Sequence, residues 1–237
     1  MSARLKTASA TDTGRRRRHN EDAYVSEPPL FAVADGMGGA QAGELASSLA
    51  AAALRDEASE LTGGEERVND LIQEANRRVY QRQAQDASAS GMGTTMTVAL
   101  VEDGRVAIGH VGDSRAYLIR DRKLEQLTED HSLINDYIKM KHLSPEEIAA
   151  FPHKNVIVRA LGMKASVQVD VIVDAPRLGD VYLLCSDGLS GMIEDAKIME
   201  VVKGATDLEL AVSSLVEAAN EAGGTDNITV LALQCAN

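Results

Sequence analysis

The chain has 237 residues, enough for one large domain with its own core, and its hydrophobic fraction of 44 % is ordinary for a folded protein. Aromatic residues make up only 3 % and Trp is absent, so that core must be aliphatic. With 24 Lys and Arg against 36 Asp and Glu the formal net charge is −12, which excludes nucleic acid as a partner and admits an anionic substrate only where carboxylates hold divalent cations.

In chain order, residues 30–34 and 94–101 read as buried strands bounded by glycine. Two helical patterns lie between them. Residues 41–60 are rich in Ala and Leu, and residues 65–85 set Val68, Leu71, Ile72, Ala75 and Val79 on one face. From residue 98 to residue 128 apolar runs alternate with tight turns at Asp103-Gly104 and at Asp121 to Lys123, the pattern of a β-meander. Residues 132–165 are less strand-like. Ser144, Pro145 and Glu147 form a capping-box start for a short helix in this insertion. Strands are expected again at 167–173, 181–185 and 228–233, with helices near 195–203 and over 207–222, the last stopped by Gly223-Gly224. Strand clusters with helix pairs between them predict an α+β fold with antiparallel sheets in a single domain spanning 1–237.

The dipeptide Asp-Gly occurs at Asp35, Asp103 and Asp187. Asp103 sits between two strands and reads as a hairpin turn. Asp35 and Asp187 instead end apolar strands in near-identical loops, "DGMGG" and "DGLSG", with a helix to follow. Asp22, Asp113 and Asp226 also lie in Gly- or Ser-rich loops at strand ends. Five carboxylates in such loops suit a hard divalent cation, which takes oxygen ligands. A glycine after the carboxylate lets a backbone carbonyl join the shell. The run "GRRRRHNED" (14–22) offers an arginine to clamp a phosphate, although spacing alone does not say which one.

Taken in order, "RxxNED", "VADGMGG", "GTT", "VGDSRAY", "DHS", "CSDGL" and "DNITV" resemble the metal-dependent Ser/Thr protein phosphatases of type 2C, specifically compact bacterial members, from about residue 5 to residue 233. The resemblance implies a β-sandwich of two antiparallel sheets flanked by helix pairs (α-β-β-α), with 132–165 as a flap. It implies two to three divalent cations, manganese or magnesium. Asp35 would bridge two of them, the Gly36 carbonyl would join one, Asp187 and Asp226 would hold the other, and Asp113 would hold a third shared with Asp187. By the same resemblance Glu21, Asp22 and Asn227 act through water or from behind the ligands, and Arg17 holds the phosphate. The reaction implied is hydrolysis of phosphoserine and phosphothreonine in proteins by direct attack of a water shared between two cations. A phosphoprotein-binding module without turnover and a hydrolase of small phosphoesters are the competing readings.

Met37 stands where many eukaryotic relatives carry a His able to protonate the leaving group, and a thioether holds no proton. His19, His110, His131, His142 and His153 are the candidates to replace it; His110 reads as a satisfied sheet residue and His131 as structural. Cys185, two residues before a candidate ligand at the end of an apolar strand, reads as buried rather than nucleophilic. Two sparse cysteines, no signal-like N-terminus and no apolar run near the roughly 20 residues of a membrane span predict a cytoplasmic protein. The expected state is a monomer acting on phosphorylated proteins in opposition to a Ser/Thr kinase.

Overall fold

The computed structural model describes residues 4–57, 63–86, 89–141, 145–149, 151 and 156–236. Among these residues eleven strands form two antiparallel sheets. The first has the order β1 (Arg4–Asp12), β11 (Ile228–Ala236), β10 (Val181–Cys185), β7 (Arg115–Arg120) and β8 (Lys123–Gln126). The second has the order β2 (Asp22–Glu27), β3 (Leu30–Met37), β5 (Met96–Glu102), β6 (Arg105–Val111) and β9 (Asp170–Asp174), with the short β4 (Gly93–Thr94) pairing on β3.

Side-chain alternation along the central strands assigns the layers. On β3, Leu30, Ala32 and Ala34 pack with α1 (Ala40–Asp56) and α2 (Gly64–Gln85), whereas Phe31 and Val33 face the other sheet. On β10, Tyr182 and Leu184 join the inter-sheet layer. Val181, Leu183 and Cys185 face α6 (Asp195–Gly204) and α7 (Leu208–Glu221). Three apolar layers therefore separate four layers of secondary structure, the α-β-β-α order expected from the sequence. Among the described residues no helix is long and apolar enough to cross a membrane.

Asp103 and Gly104 have φ of 50° and 73°, and Asp121 and Arg122 have φ of 50° and 63°. Both pairs show the left-handed backbone of two-residue hairpin turns. Some boundaries differ from expectation. The α1 helix ends at Asp56, with residues 58–60 outside the described set. The strand expected from 167 begins at Asp170, because Val167 and Val169 pack against the helical layer instead. The strand expected from 94 is divided, since Thr94 and Thr95 turn their backbone and hydroxyl groups onto Asp35 and Leu161. The 132–165 insertion carries α3 (Leu133–Lys141) and α4 (Pro145–Ala149), while its expected cap Ser144 lies outside the described residues. A four-residue turn of helix, α5 (Asp187–Ser190), follows β10 directly.

Candidate metal and phosphate site

The candidate ligands collect where strands of both sheets end on the same side of the sandwich. Asp22 opens β2 and stands directly across the ladder from Asp35 near the end of β3, so both project from one face. Asp187 follows β10 and Asp226 precedes β11, two strands that pair side by side. Asp113 lies two residues beyond β6. Gly36 and Gly188 permit this convergence. A Cβ on Gly36 would meet the Gly43 carbonyl oxygen of α1 at 2.1 Å, and one on Gly188 would meet the Asn227 carbonyl oxygen at 1.9 Å. No residue with a side chain fits either position.

Small hydroxyls fix the backbone behind the carboxylates. Thr95 Oγ1 accepts from the Asp35 amide at 2.9 Å and lies 2.7 Å from Ser114 Oγ, linking the Asp35 and Asp113 loops. The Thr94 hydroxyl donates to the Asp35 carbonyl. Ser186 Oγ and Thr229 Oγ1 both donate to Asp22 Oδ2, at 2.8 and 2.6 Å, tying β2 to β10 and β11. These five hydroxyls were not singled out in the sequence as positioning groups, though Thr94 and Thr95 stand in the "GTT" motif, Ser114 in "VGDSRAY", Ser186 in "CSDGL" and Thr229 in "DNITV".

The carboxylates themselves are poorly satisfied. Asp22 Oδ1, Asp113 Oδ1 and Asp187 Oδ1 are buried without any hydrogen-bond partner, a state that ordinarily costs a few kcal/mol for each charged group. Burial, reinforced by the neighbouring acids, raises the Asp22 and Asp113 carboxyls to about 7 and Asp187 to about 6. Asp35 too is raised well above the ordinary carboxylate range, by burial first and then by Asp22, Asp187, Asp113 and Asp226. Orphaned oxygens on mutually repelling carboxylates fit a cluster of hard cations, whose charge would remove both penalties. Among the described residues no three His, Cys, Asp or Glu side chains are gathered tightly enough to hold an ion alone. A cation shell here would therefore draw on carbonyl and water oxygens as well, as magnesium-type ions do.

Arg17 is held over this cluster. Its Nη2 donates to Asp226 Oδ2 at 2.5 Å, and its Nη1 lies 4.0 Å from Glu21 Oε1. Asp226 Oδ1 accepts from the Asn227 amide. Asn227 directs its side chain away from the acids. Its Oδ1 accepts from the Glu21 amide at 2.8 Å, and its Nδ2 donates to the Thr13 and His19 carbonyls, each at 2.9 Å. One buried amide thus clamps both ends of the loop that carries Arg17. Glu21 is itself buried, and its carbonyl accepts from the Gly36 amide. Beside Asp187 and Asp226 opens a groove of about 590 Å³, walled by Ile134 and Ile138 of α3, Ile148 of α4 and Met192, with Asp113, Arg115 and Asp130 among its polar lining.

Comparison with known proteins identifies the family of the chain. Residues 13–208 match the family model described as protein phosphatase 2C. The chain belongs to the protein phosphatase 2C family. It is 39 % identical over 235 residues to a serine/threonine phosphatase, stp, of Listeria monocytogenes, covering 94 % of this chain and 93 % of that protein. It is 38 % identical to the protein phosphatase PhpP of Streptococcus pneumoniae, covering 95 % and 96 %. The crystal structure of the Mycobacterium tuberculosis serine/threonine phosphatase PstP superposes with a TM-score of 0.92 at 35 % identity over 98 % of this chain and 99 % of that one. A second structure of the PstP catalytic domain, in complex with two manganese ions, gives 0.90 over the same extents.

Within this phosphatase 2C chain the buried histidines, His110 and His131, are already engaged. His110 is fully buried; its Nε2 lies 3.1 Å from the Glu129 carbonyl and its Nδ1 3.0 Å from Thr97 Oγ1. His131 Nδ1 accepts from the Gly112 amide, so the proton sits on Nε2 and faces Asp170 Oδ2 at 3.0 Å. Burial holds His110 down to about 4 and also lowers His131. Neither offers a proton at neutral pH. His142 and His153 lie outside the described residues. His19 remains, exposed on the Arg17 loop. Cys185 is fully buried, and that burial raises its thiol to about 12, so it holds no thiolate for attack.

Proposed function

We propose that this chain is a divalent-metal-dependent protein phosphatase that hydrolyses phosphoserine and phosphothreonine in proteins. The observation that carries the reading is the set of buried, partnerless oxygens on Asp22, Asp113 and Asp187, on one side of the sandwich with Asp35 and beside Arg17. Asp35, the Gly36 carbonyl, Asp187 and Asp226 are assigned to hold two cations, manganese or magnesium, and Asp113 with Asp187 to hold a third. When bound, the cations supply an activated water and neutralise charge on the phosphoryl group. Arg17 is free to turn from Asp226 to the phosphoryl oxygens, which it would grip through two parallel N–H donors. The hydroxyl set of Thr95, Ser114, Ser186 and Thr229 keeps the carboxylates aimed during turnover. Glu21, Asp22 and Asn227 act from behind, as loop and ligand supports or through water. Met37 contributes no proton, and with His110 and His131 engaged the leaving oxygen takes its proton from water rather than from the exposed His19.

The same reading makes residues 1–237 one catalytic domain with 132–165 as its flap, a cytoplasmic monomer whose phosphoprotein substrates come from a Ser/Thr kinase. Its relatives named as serine/threonine phosphatases support the substrate class. The test is release of phosphate from a phosphothreonine peptide with and without manganese, by the parent chain and by Asp187→Ala. Metal-dependent release that the substitution abolishes is expected. Release that persists in chelator, or survives Asp187→Ala, would overturn the proposal.

A further inference from the structure

The arginine run contains more cation than the phosphate needs. Arg17 alone engages Asp226, while Arg15, Arg16 and Arg18 are exposed and carry no ion pair among the described residues. Elsewhere Arg55, Arg78, Arg82, Arg115, Arg120 and Arg159 each hold a carboxylate, and the other described arginines with no ion pair, Arg105 and Arg122, stand singly at hairpin turns rather than side by side. The backbone of this loop is fastened at several points. Asn227 fastens it at Thr13 and His19, the Arg15 amide donates to the Gly224 carbonyl at 2.7 Å, and the Gly14 amide donates to Asp12 Oδ1 at 2.8 Å. The free guanidiniums are therefore displayed at a fixed lip, one residue either side of Arg17.

We propose that Arg16 and Arg18 select acidic substrate segments, in which Asp, Glu or a second phosphorylated residue flanks the phosphoresidue. The inference rests on the phosphatase reading above and adds a substrate class to it. An extended peptide advances about 3.3 Å per residue, so residues a few positions from the phosphate on Arg17 stay within the reach of the long side chains of its sequence neighbours. A net charge of −12 would repel such a segment elsewhere on the surface, and the lip offers opposite charge where the phosphate docks. Each exposed pair is worth roughly 0.2–1 kcal/mol. Two of them amount to a preference of about 2- to 30-fold in kcat/KM, weakening as salt screens it over a Debye length of about 10 Å at 0.1 M.

The experiment compares two manganese-supported substrates, a phosphothreonine peptide with alanine flanks and one with glutamate flanks, together with p-nitrophenyl phosphate. The parent should favour the acidic peptide at low salt and lose the preference in 0.5 M sodium chloride. The double variant Arg16→Ala/Arg18→Ala should treat the two peptides alike while hydrolysing p-nitrophenyl phosphate as the parent does. Charge reversal, Arg16→Glu/Arg18→Glu, should favour the neutral peptide. Equal kcat/KM for both peptides in the parent, or a preference retained in the alanine variant, would overturn the inference and leave the phosphatase reading intact. Equal kcat/KM combined with co-sedimentation on phosphatidylserine vesicles would assign the lip to a membrane surface instead. Failure to hydrolyse any of the three substrates would remove the phosphatase reading, and this inference with it.

Discussion

Asp113→Asn should stabilise the metal-free chain while impairing the enzyme. The Asp113 side chain is buried with Oδ1 unpartnered, and its carboxyl is raised from 3.8 to about 7, by burial first and then by Asp187 and Asp130. A carboxyl raised by folding ionises more easily in the unfolded chain. Stability is therefore intact below about pH 4, declines as pH rises towards 7, and stays low above it. At pH 8 the penalty for the folded, ionised carboxylate is about 4 kcal/mol, and at pH 5 it is about 2 kcal/mol. Asparagine has the same shape and never ionises. In chelator at pH 8 the variant should melt higher by roughly 8–16 °C, at about 2–4 °C per kcal/mol for a chain of this size. The gain should fall by about half at pH 5. Added manganese should raise the melting temperature of the parent more than that of the variant, and the variant should lose phosphatase activity. Thermal unfolding at both pH values, with chelator and with manganese, reads all of this. A variant no more stable than the parent at pH 8 in chelator, or equally stabilised at pH 8 and pH 4, would refute the view that these acids are strained against one another until a cation arrives.

Arg17→Ala should lower kcat/KM for phosphopeptides by about 10- to 100-fold, the loss of a charge-assisted contact of roughly 1.5–3 kcal/mol, with manganese dependence unchanged in a metal titration. Asn227→Ala frees the Arg17 loop, so it should raise KM in the parent and cost nothing further in an Arg17→Ala background; additive losses in that double-mutant cycle would refute the clamp. Arg120→Ala strips the cation from Asp180, whose side chain is 4 % exposed and keeps the Arg177 amide, and from Asp174, which keeps the Tyr182 hydroxyl. It should cost about 3 kcal/mol in urea unfolding without changing kcat in a phosphopeptide assay, since this network lies away from the candidate ligands.

Much of the architecture was legible because the central strands obey a strict two-residue alternation. In β3 and β10 every other apolar residue belongs to a different core layer, and such runs read as buried strands from composition alone. The twin loops at Asp35 and Asp187 were legible for the same reason, since each ends one of these runs. The edge strands were not. β1, "RLKTASATD", is largely exposed or half-buried and is specified by backbone pairing with β11 over nine positions, which side-chain pattern does not encode. Asn227 was grouped with the water-mediated residues on resemblance alone. Its clamp on Thr13 and His19 spans more than 200 positions in sequence, so no local spacing reveals it. Likewise, nothing in "DHS" discloses that His131 ties Gly112 to Asp170.

The strand order of the first sheet also has a consequence for the protein's birth. β11, the last strand of the chain, inserts between β1, the first, and β10. Until it leaves the ribosome, β1 has no partner in its sheet, the Asp22 carboxylate lacks the Thr229 hydroxyl, and Arg17 has no Asp226 to rest on. Closing β2, β3, β5 and β6 around Asp35 therefore leaves the site without two of its supports, which arrive together with β11.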